Sequence, residues 1–389
     1  MAKSKNCRNI YSLIGGICAL SLAMGISRFG FTPIIPLMQR DIGITEWDIA
    51  VMASANYLGY LIGAYISRKK WIRKHLRTWL GAGLVTSIIL LIGMPLTLND
   101  LLWTLLRLGS GFLSAILFVV ASSVTLGQGR SDWAGYLYSG VGIGIAFTGI
   151  FVPIFDSIGG WKTTWLGLAL GGSVFGILAW YTLAKVSYSE AGDSGQIRSE
   201  NDFVRDYKWY VLLTSYGLEG IGYIITATFI VQMIKSMPEL SHIANQSWVL
   251  IGLAAAPSTY LWARIAKKTS IKASLMLAYG MQALGILLPV IIPNQVSTLA
   301  GGALFGGTFM GITSLSITLA YQMKPEAQIQ AIGELTTIYA LGQIIGPIIA
   351  AYLQKNFDML APSLFAVVTL LIALLVLMTL KINKKGDDV

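Results

Sequence analysis

Apolar residues in this chain fall into runs of about 20, the length of helix that crosses a hydrocarbon core of about 30 Å. Short polar turns separate them, placing twelve membrane-spanning helices at roughly 10–38, 46–66, 77–95, 101–124, 134–156, 161–185, 209–234, 246–265, 270–292, 297–321, 331–353 and 361–381. One long polar stretch, Lys185 to Lys208, interrupts the series. It sets Glu190, Asp193, Glu200, Asp202 and Asp206 among Ser, Gly and Asn residues, which predicts a flexible linker. The pattern predicts an all-α polytopic membrane protein: a six-helix bundle in residues 1–185, a linker over 186–208 and a second six-helix bundle in 209–389.

Composition agrees, with 55% hydrophobic and 12% charged residues, where soluble domains carry about a quarter charged. A net charge of +10 would suit a nucleic-acid binder, but its distribution points elsewhere. The clusters Lys3/Lys5/Arg8, Arg68/Lys69/Lys70/Arg73/Lys74/Arg77, Arg264/Lys267/Lys268/Lys272 and Lys381/Lys384/Lys385 fall on one side of the predicted spans, leaving Arg40, Lys162, Lys235 and Lys355 on the other. By the positive-inside rule the basic side, both termini and the linker are cytoplasmic. The excess then reads as topology and attraction to anionic membrane lipids, with no nucleic-acid partner. The N-terminus has the outline of a signal peptide, ending in Ala19-Leu20-Ser21-Leu22-Ala23. Cleavage would leave an odd number of spans and break the charge asymmetry, so the first helix is expected to stay. Cys7 and Cys18 make no disulfide framework and support no redox or metal role.

The first span contains Gly25-Ile26-Ser27-Arg28-Phe29-Gly30-Phe31-Thr32-Pro33-Ile34-Ile35-Pro36. Two glycines, two prolines and a full charge are poor choices for a helix that only crosses a bilayer, and an arginine at depth costs about 3 kcal/mol or more. The stretch is echoed at Gly217-Leu218-Glu219-Gly220-Ile221-Gly222-Tyr223, with Gly25 matching Gly217, Gly30 matching Gly222 and Phe31 matching Tyr223. One copy carries Arg28, the other Glu219, one position out of register. Two half-chains, each with a glycine-rich broken helix and one member of an opposite-charge pair, predict a two-repeat transporter with a midplane site.

Other polar residues count to mid-span: Asn56 and Tyr60 on one helical face, then Tyr223, Gln282, Tyr339 and Gln343. Polar groups at that depth need partners in protein, water or ligand, so these are candidate substrate contacts beside Arg28 and Glu219, with helix–helix hydrogen bonding as the alternative. Gly59 and Gly63 form a small-xxx-small packing face. Glu334 lies near the cytoplasmic end of its span and reads as gate or surface.

The whole chain resembles the major facilitator superfamily in its 6 + 6 arrangement. The motifs at 25–33, 56–60, 217–223 and Gly342-Gln343-Ile344-Ile345-Gly346-Pro347 are similar to the YbfB-type subgroup of bacterial transporters. The resemblance implies two pseudo-symmetric bundles rocking about a central cavity. Arg107-Leu108-Gly109-Ser110-Gly111 resembles the superfamily's fourth-helix Arg-x-x-x-Gly motif, which makes Arg107 a candidate for proton coupling with Glu219 and Arg28; snorkelling to the outer interface is the alternative. The loop after Gly63 keeps the basic residues of the superfamily's gate motif but lacks its aspartate. Gly140, Gly142, Gly144, Gly149 and Pro153 resemble the fifth-helix motif of antiporters without its Gly-Pro pair, and close packing accounts for them.

Three readings of Arg28 and Glu219 compete: a permanent ion pair, a proton-coupling carboxylate restrained by the arginine, and direct substrate binding with Arg28 clamping an anion. An enzyme would need a nucleophile, metal ligands or paired acids. His75 and His242 lie in loops and no ligand-spaced cluster occurs, so no catalytic residue, metal or cofactor is expected. The expectation is a monomeric secondary transporter of the bacterial cytoplasmic membrane, moving a small organic solute, preferably an anion, by alternating access coupled to protons. A multidrug or lipophilic-cation efflux antiporter, or a lipid flippase, is the alternative.

Overall fold

The computed structural model describes residues 2–126, 133–183 and 205–380, and every regular element among them is helical. In chain order the helices are α1 (Ala2–Leu20), α2 (Phe31–Ile42), α3 (Glu46–Ile66), the short α4 (Lys70–Lys74), α5 (Leu76–Gly93), α6 (Asp100–Leu126), α7 (Ala134–Leu183), α8 (Tyr207–Ser236), α9 (Ala244–Lys268), α10 (Ile271–Ile291), α11 (Gln295–Met323), α12 (Gln328–Asn356) and α13 (Ala361–Met378). Among the described residues, eleven helical segments are long and apolar enough to cross a membrane. Where twelve spans were expected, the fifth and sixth merge into the 50-residue α7. That element is broken at Gly159 and Gly160, and Gly160 takes φ 70°, the left-handed region that favours glycine. Asp41 accepts the Trp161 N–H at 3.0 Å, while Arg40 pairs with both Asp41 (2.6 Å) and Asp156 (2.7 Å). The break is thereby pinned to the end of α2.

The first span breaks as its glycines and prolines predict. α1 passes into a π-helical stretch, Ser21–Ile26, where Ser27 N–H reaches Leu22 O (2.8 Å) and Phe29 N–H reaches Met24 O (3.0 Å). Thr32 N–H then turns back to Phe29 O (3.2 Å) and Pro33 has no N–H, so the Arg28 carbonyl has neither the usual helical donor nor the next one along. Gly25 lies so close to Gly144 of α7 that a Cβ would strike its backbone. The second copy of the motif differs from expectation: α8 runs unbroken from Tyr207 to Ser236. Its sequence has Ile225 and Thr228 where the first copy has Pro33 and Pro36, so every N–H remains available. α8 also begins before residue 209, because Asp206 accepts the Trp209 N–H (2.9 Å) and caps it. The rest of the expected linker, with Glu190, Asp193, Glu200 and Asp202, lies outside the described residues, as do Lys381, Lys384, Lys385 and the side chains of Lys3, Lys5, Cys7 and Arg8.

In the first half, α1 packs on α7, α3 on α6, and α5 on both α6 and α7. In the second, α8 packs on α12 and α13, α10 on α11 and α13, and α9 on α11. The halves meet through α7 with α9, α3 with α12 and α2 with α8. Gly59 and Gly63 pack α3 against the Leu108 and Phe112 backbone of α6, as the small-residue face predicts. Along the other seam, Gly142 of α7 meets the backbone of Gly252 and Ala256. Outward faces such as Leu170 and Ile177 are exposed and apolar, a surface that suits lipid.

Candidate functional site

Arg28 sits in the turn between the π-helical stretch and α2, 5% exposed. Its Nη2 donates to Gln343 Oε1 of α12 at 3.0 Å. Around the guanidinium stand the rings of Tyr60 (4.3 Å to the centroid), Tyr57 (5.0 Å) and Phe29 (5.2 Å), a three-sided aromatic cage. Nε has no partner, and Arg28 belongs to none of the ion pairs among the described residues. Burying a charge without its opposite costs several kcal/mol, which three cation–π contacts, the neutral hydrogen bond to Gln343 and a weak one from Nη1 to Met24 Sδ (3.9 Å) offset only in part.

Glu219 is fully buried at the middle of α8. Tyr216, Glu219 and Tyr223 share one helical face, and Tyr339 of α12 stacks on Tyr216 (centroids 4.3 Å apart, 8° between planes) and on Tyr223 (6.1 Å). Tyr223 continues the stack to Phe309 and Phe305 of α11, and Phe309 reaches Phe29 at 6.3 Å. Gln282 of α10 and Tyr339 stand beside the carboxylate. Neither closes a hydrogen bond of normal geometry: both Glu219 oxygens, and both polar atoms of the equally buried Gln282, lack partners.

Of the three readings of Arg28 and Glu219, the permanent ion pair is therefore not seen. The arginine lies at the seam between halves and the glutamate within the second half, between α8, α10 and α12. The two environments are joined through α12, where Tyr339 and Gln343 are four residues apart, one against the Glu219 face and one on Arg28. Tyr60 lies in the Arg28 cluster, while Tyr223, Gln282 and Tyr339 gather around Glu219.

Arg107 and Asn56 belong to neither cluster. Arg107 is 3% exposed, so it does not snorkel. Its Nη1 and Nη2 donate to Ser27 O (2.8 Å) and Arg28 O (2.9 Å), the carbonyls at the helix break, and its guanidinium lies 4.8 Å from the Phe31 ring. Asn56 Nδ2 in turn donates to Arg107 O (2.9 Å), an α3–α6 contact. This geometry gives Asn56 the helix–helix bond that was its alternative reading and makes Arg107 the brace of the segment that carries Arg28.

Tyr57, Phe29, Tyr216 and Phe309 were not singled out from sequence. The spacing of Tyr216, Glu219 and Tyr223 signals one shared face of α8; nothing comparable marks Phe309, which arrives from α11. Beyond Arg28, toward the end of α2, the halves are joined by Thr32 Oγ1 donating to Ala227 O (2.7 Å) and by Tyr57 and Thr228 (3.4 Å); Ser54 Oγ donates to Ile344 O (2.7 Å) along the α3–α12 seam. Toward the basic end the same seam opens into a cavity of about 820 Å³, lined mainly by apolar residues such as Leu61, Ile62, Leu213 and Leu341, with Arg68 and Glu334 at its rim. Glu334 is held there by Arg205 (2.6 Å) and Trp209 Nε1 (2.8 Å). Among the described residues no His, Cys, Asp and Glu cluster could hold a metal ion.

The comparisons with known proteins agree with this architecture. A family model described as "Uncharacterised MFS-type transporter YbfB" matches residues 20–378. The crystal structure of a mutant of the nucleoside transporter NupG is similar over 95% of this chain and 99% of that one, with a TM-score of 0.75 and 13% sequence identity, a likeness of fold. No curated protein matches the chain.

Proposed function

We propose a function on the premise that this chain belongs to the family of YbfB-type transporters of the major facilitator superfamily: proton-coupled movement of a small organic anion across the bacterial cytoplasmic membrane. The family makes the chain a multi-pass membrane transporter and not an enzyme. The observation that carries the anion is Arg28, buried at the seam between the halves, caged by aromatic rings and paired with no carboxylate among the described residues. A carboxylate or phosphate arriving there supplies the missing charge, and the rings of Tyr57, Tyr60 and Phe29 give an apolar body something to lie against. Glu219, buried without a cation beside it, is the candidate proton carrier, and Tyr339 and Gln343 on α12 offer a mechanical link between proton and anion.

Alternating access fits this arrangement. Twelve crossings follow if the two arms of α7 each cross once, with residues 1–185 rocking against 209–389. The bonds from Thr32 and Tyr57 to α8 then form the closed outer gate, while the α3–α12 cavity faces the basic, cytoplasmic side on which both termini lie. One chain supplies both halves, so a monomer suffices, surrounded by membrane lipids. The NupG likeness, at 13% identity, does not carry nucleosides over as the cargo. The apolar lining of the α3–α12 cavity favours a second reading, in which a lipophilic cation or a lipid is exported through that side opening.

A ligand screen by thermal shift on the purified protein separates the two. Organic anions that stabilise the wild type and fail to stabilise Arg28→Gln support the proposal. Stabilisation only by lipophilic cations or lipids, unchanged in Arg28→Gln, refutes it.

A further inference from the structure

The four orphan atoms around Glu219 pose a problem of chemistry. Two carboxylate oxygens and the amide oxygen and nitrogen of Gln282 are buried side by side, and none has a hydrogen-bond partner. Buried polar atoms left this way cost about 1–3 kcal/mol each. The two helices that bear them are aligned one turn away, where Ser215 of α8 meets Tyr279 of α10 (Oγ–Oη 3.4 Å) and also donates to Ala373 O of α13 (2.8 Å). Ser215 and Glu219 are four apart on α8, Tyr279 and Gln282 three apart on α10, so the acid and the amide form the next rung of the same ladder. Apolar side chains pack about this end of the second half, with Leu275, Ala278, Ile312 and Leu315 buried.

The titratable groups facing Glu219 are all tyrosines: Tyr216 and Tyr223 on its own helix, Tyr279 on α10 and Tyr339 on α12. From α11, Thr313 faces Tyr216 and Tyr339, and Ser316 faces Tyr279. α13 offers the Ala373 carbonyl. Among the described residues no Lys, Arg or His forms an ion pair with Glu219. An ionised carboxylate can accept from the Gln282 N–H but gives the amide oxygen nothing. A carboxylic acid does both.

We propose that Gln282 is the partner of Glu219 in its protonated form. The acid O–H donates to Gln282 Oε1, and Gln282 Nε2–H donates to the acid carbonyl, closing a reciprocal pair that satisfies all four orphan atoms. One proton enters from water and no other bond forms or breaks; when it leaves, the amide oxygen loses its donor and the ladder opens at that rung. Gln282 is thus a positioning residue for the proton-loaded state and not a substrate contact. The inference rests on the reading of Glu219 as the proton carrier and names what sets its loaded state.

The test is pH-difference infrared spectroscopy of the full-length protein in detergent and in lipid, following the carbonyl stretch of a protonated carboxylic acid. Wild type is expected to give a hydrogen-bonded acid band that Glu219→Gln abolishes. Gln282→Leu moves the band to higher frequency or removes it. The exchanged variant Glu219→Gln/Gln282→Glu, which puts acid and amide in each other's places, restores it. An unmoved band in Gln282→Leu, a band absent from wild type, or a band that responds to sodium at fixed pH overturns the pairing, the last in favour of a bound cation. If the band behaves as expected while transport proves indifferent to a proton gradient, the pairing stands and the proton-coupled function falls.

Discussion

The brace on the broken helix makes the sharpest structural prediction. Replacing Arg107 by Met keeps the length of the side chain and removes both donors, leaving the carbonyls of Ser27 and Arg28 buried without them. Each orphaned acceptor costs about 1–3 kcal/mol. Against this, the variant no longer buries a guanidinium, which returns part of a desolvation cost of several kcal/mol. The expected net loss is about 2–4 kcal/mol, several degrees in Tm for a chain of this size. Arg107→Lys keeps the charge, but a single ammonium lacks the planar fork that spans two carbonyls, so it recovers only part of the loss. Thermal unfolding in detergent, followed by tryptophan fluorescence without ligand, measures this directly. On the proposed role of Arg28, ligand binding there is expected to weaken in parallel, because the same carbonyls fix the backbone that carries it. Unchanged stability in Arg107→Met, together with a displaced pH profile of transport, would refute the brace and return Arg107 to the proton path.

Further predictions follow from the packing and the caps. Gly142→Ala drives a methyl into the backbone of Gly252 and Ala256 and should cost about 1–3 kcal/mol, whereas Gly280→Ala, with no atom within 4 Å of the new carbon, should be neutral or gain up to about 1 kcal/mol; equal effects in thermal unfolding would contradict the tight α7–α9 seam. Asp206 caps α8 and pairs with Lys324 at 3.4 Å. Partial burial pushes its carboxyl up, but the Trp209 N–H and the Lys324 charge outweigh that and hold it below the ordinary value. Its stabilisation is therefore present above about pH 4 and lost as pH falls through the lowered value. Asp206→Ala should cost about 1 kcal/mol at neutral pH and less in acid, and a pH-independent difference between the two proteins would refute the charged cap.

Much of the fold was legible because membrane helices announce themselves by length, and the break in the first span because Gly25, Gly30, Pro33 and Pro36 each remove a support of the helix. The same glycine pattern misled at Gly217 and Gly222. Without prolines α8 stays whole, and those glycines serve close approach to α12 and α13. Arg28 was found by the cost of its charge at depth, a local argument that the cage of Tyr57, Tyr60 and Phe29 leaves intact. Its pairing with Glu219 was not, since opposite charges at matching depths do not fix which way a helix is turned; packing of Tyr216 and Tyr223 on Tyr339 turns Glu219 into the second half. Arg107 shows the reverse case. Pro33 leaves the Arg28 carbonyl short of a donor, and only the crossing of α6 beside the break shows which side chain supplies it.

The proposed function is coupled movement of anion and proton through Arg28 and Glu219. It is tested most directly by uptake into proteoliposomes of an anion selected by the thermal-shift screen, with an imposed pH gradient and a proton-sensitive dye inside. The wild type is expected to show gradient-driven accumulation with proton movement, Arg28→Gln no uptake, and Glu219→Gln exchange of the anion without accumulation or proton flux. Accumulation and proton flux that persist in Glu219→Gln, or uptake that survives Arg28→Gln, would contradict it.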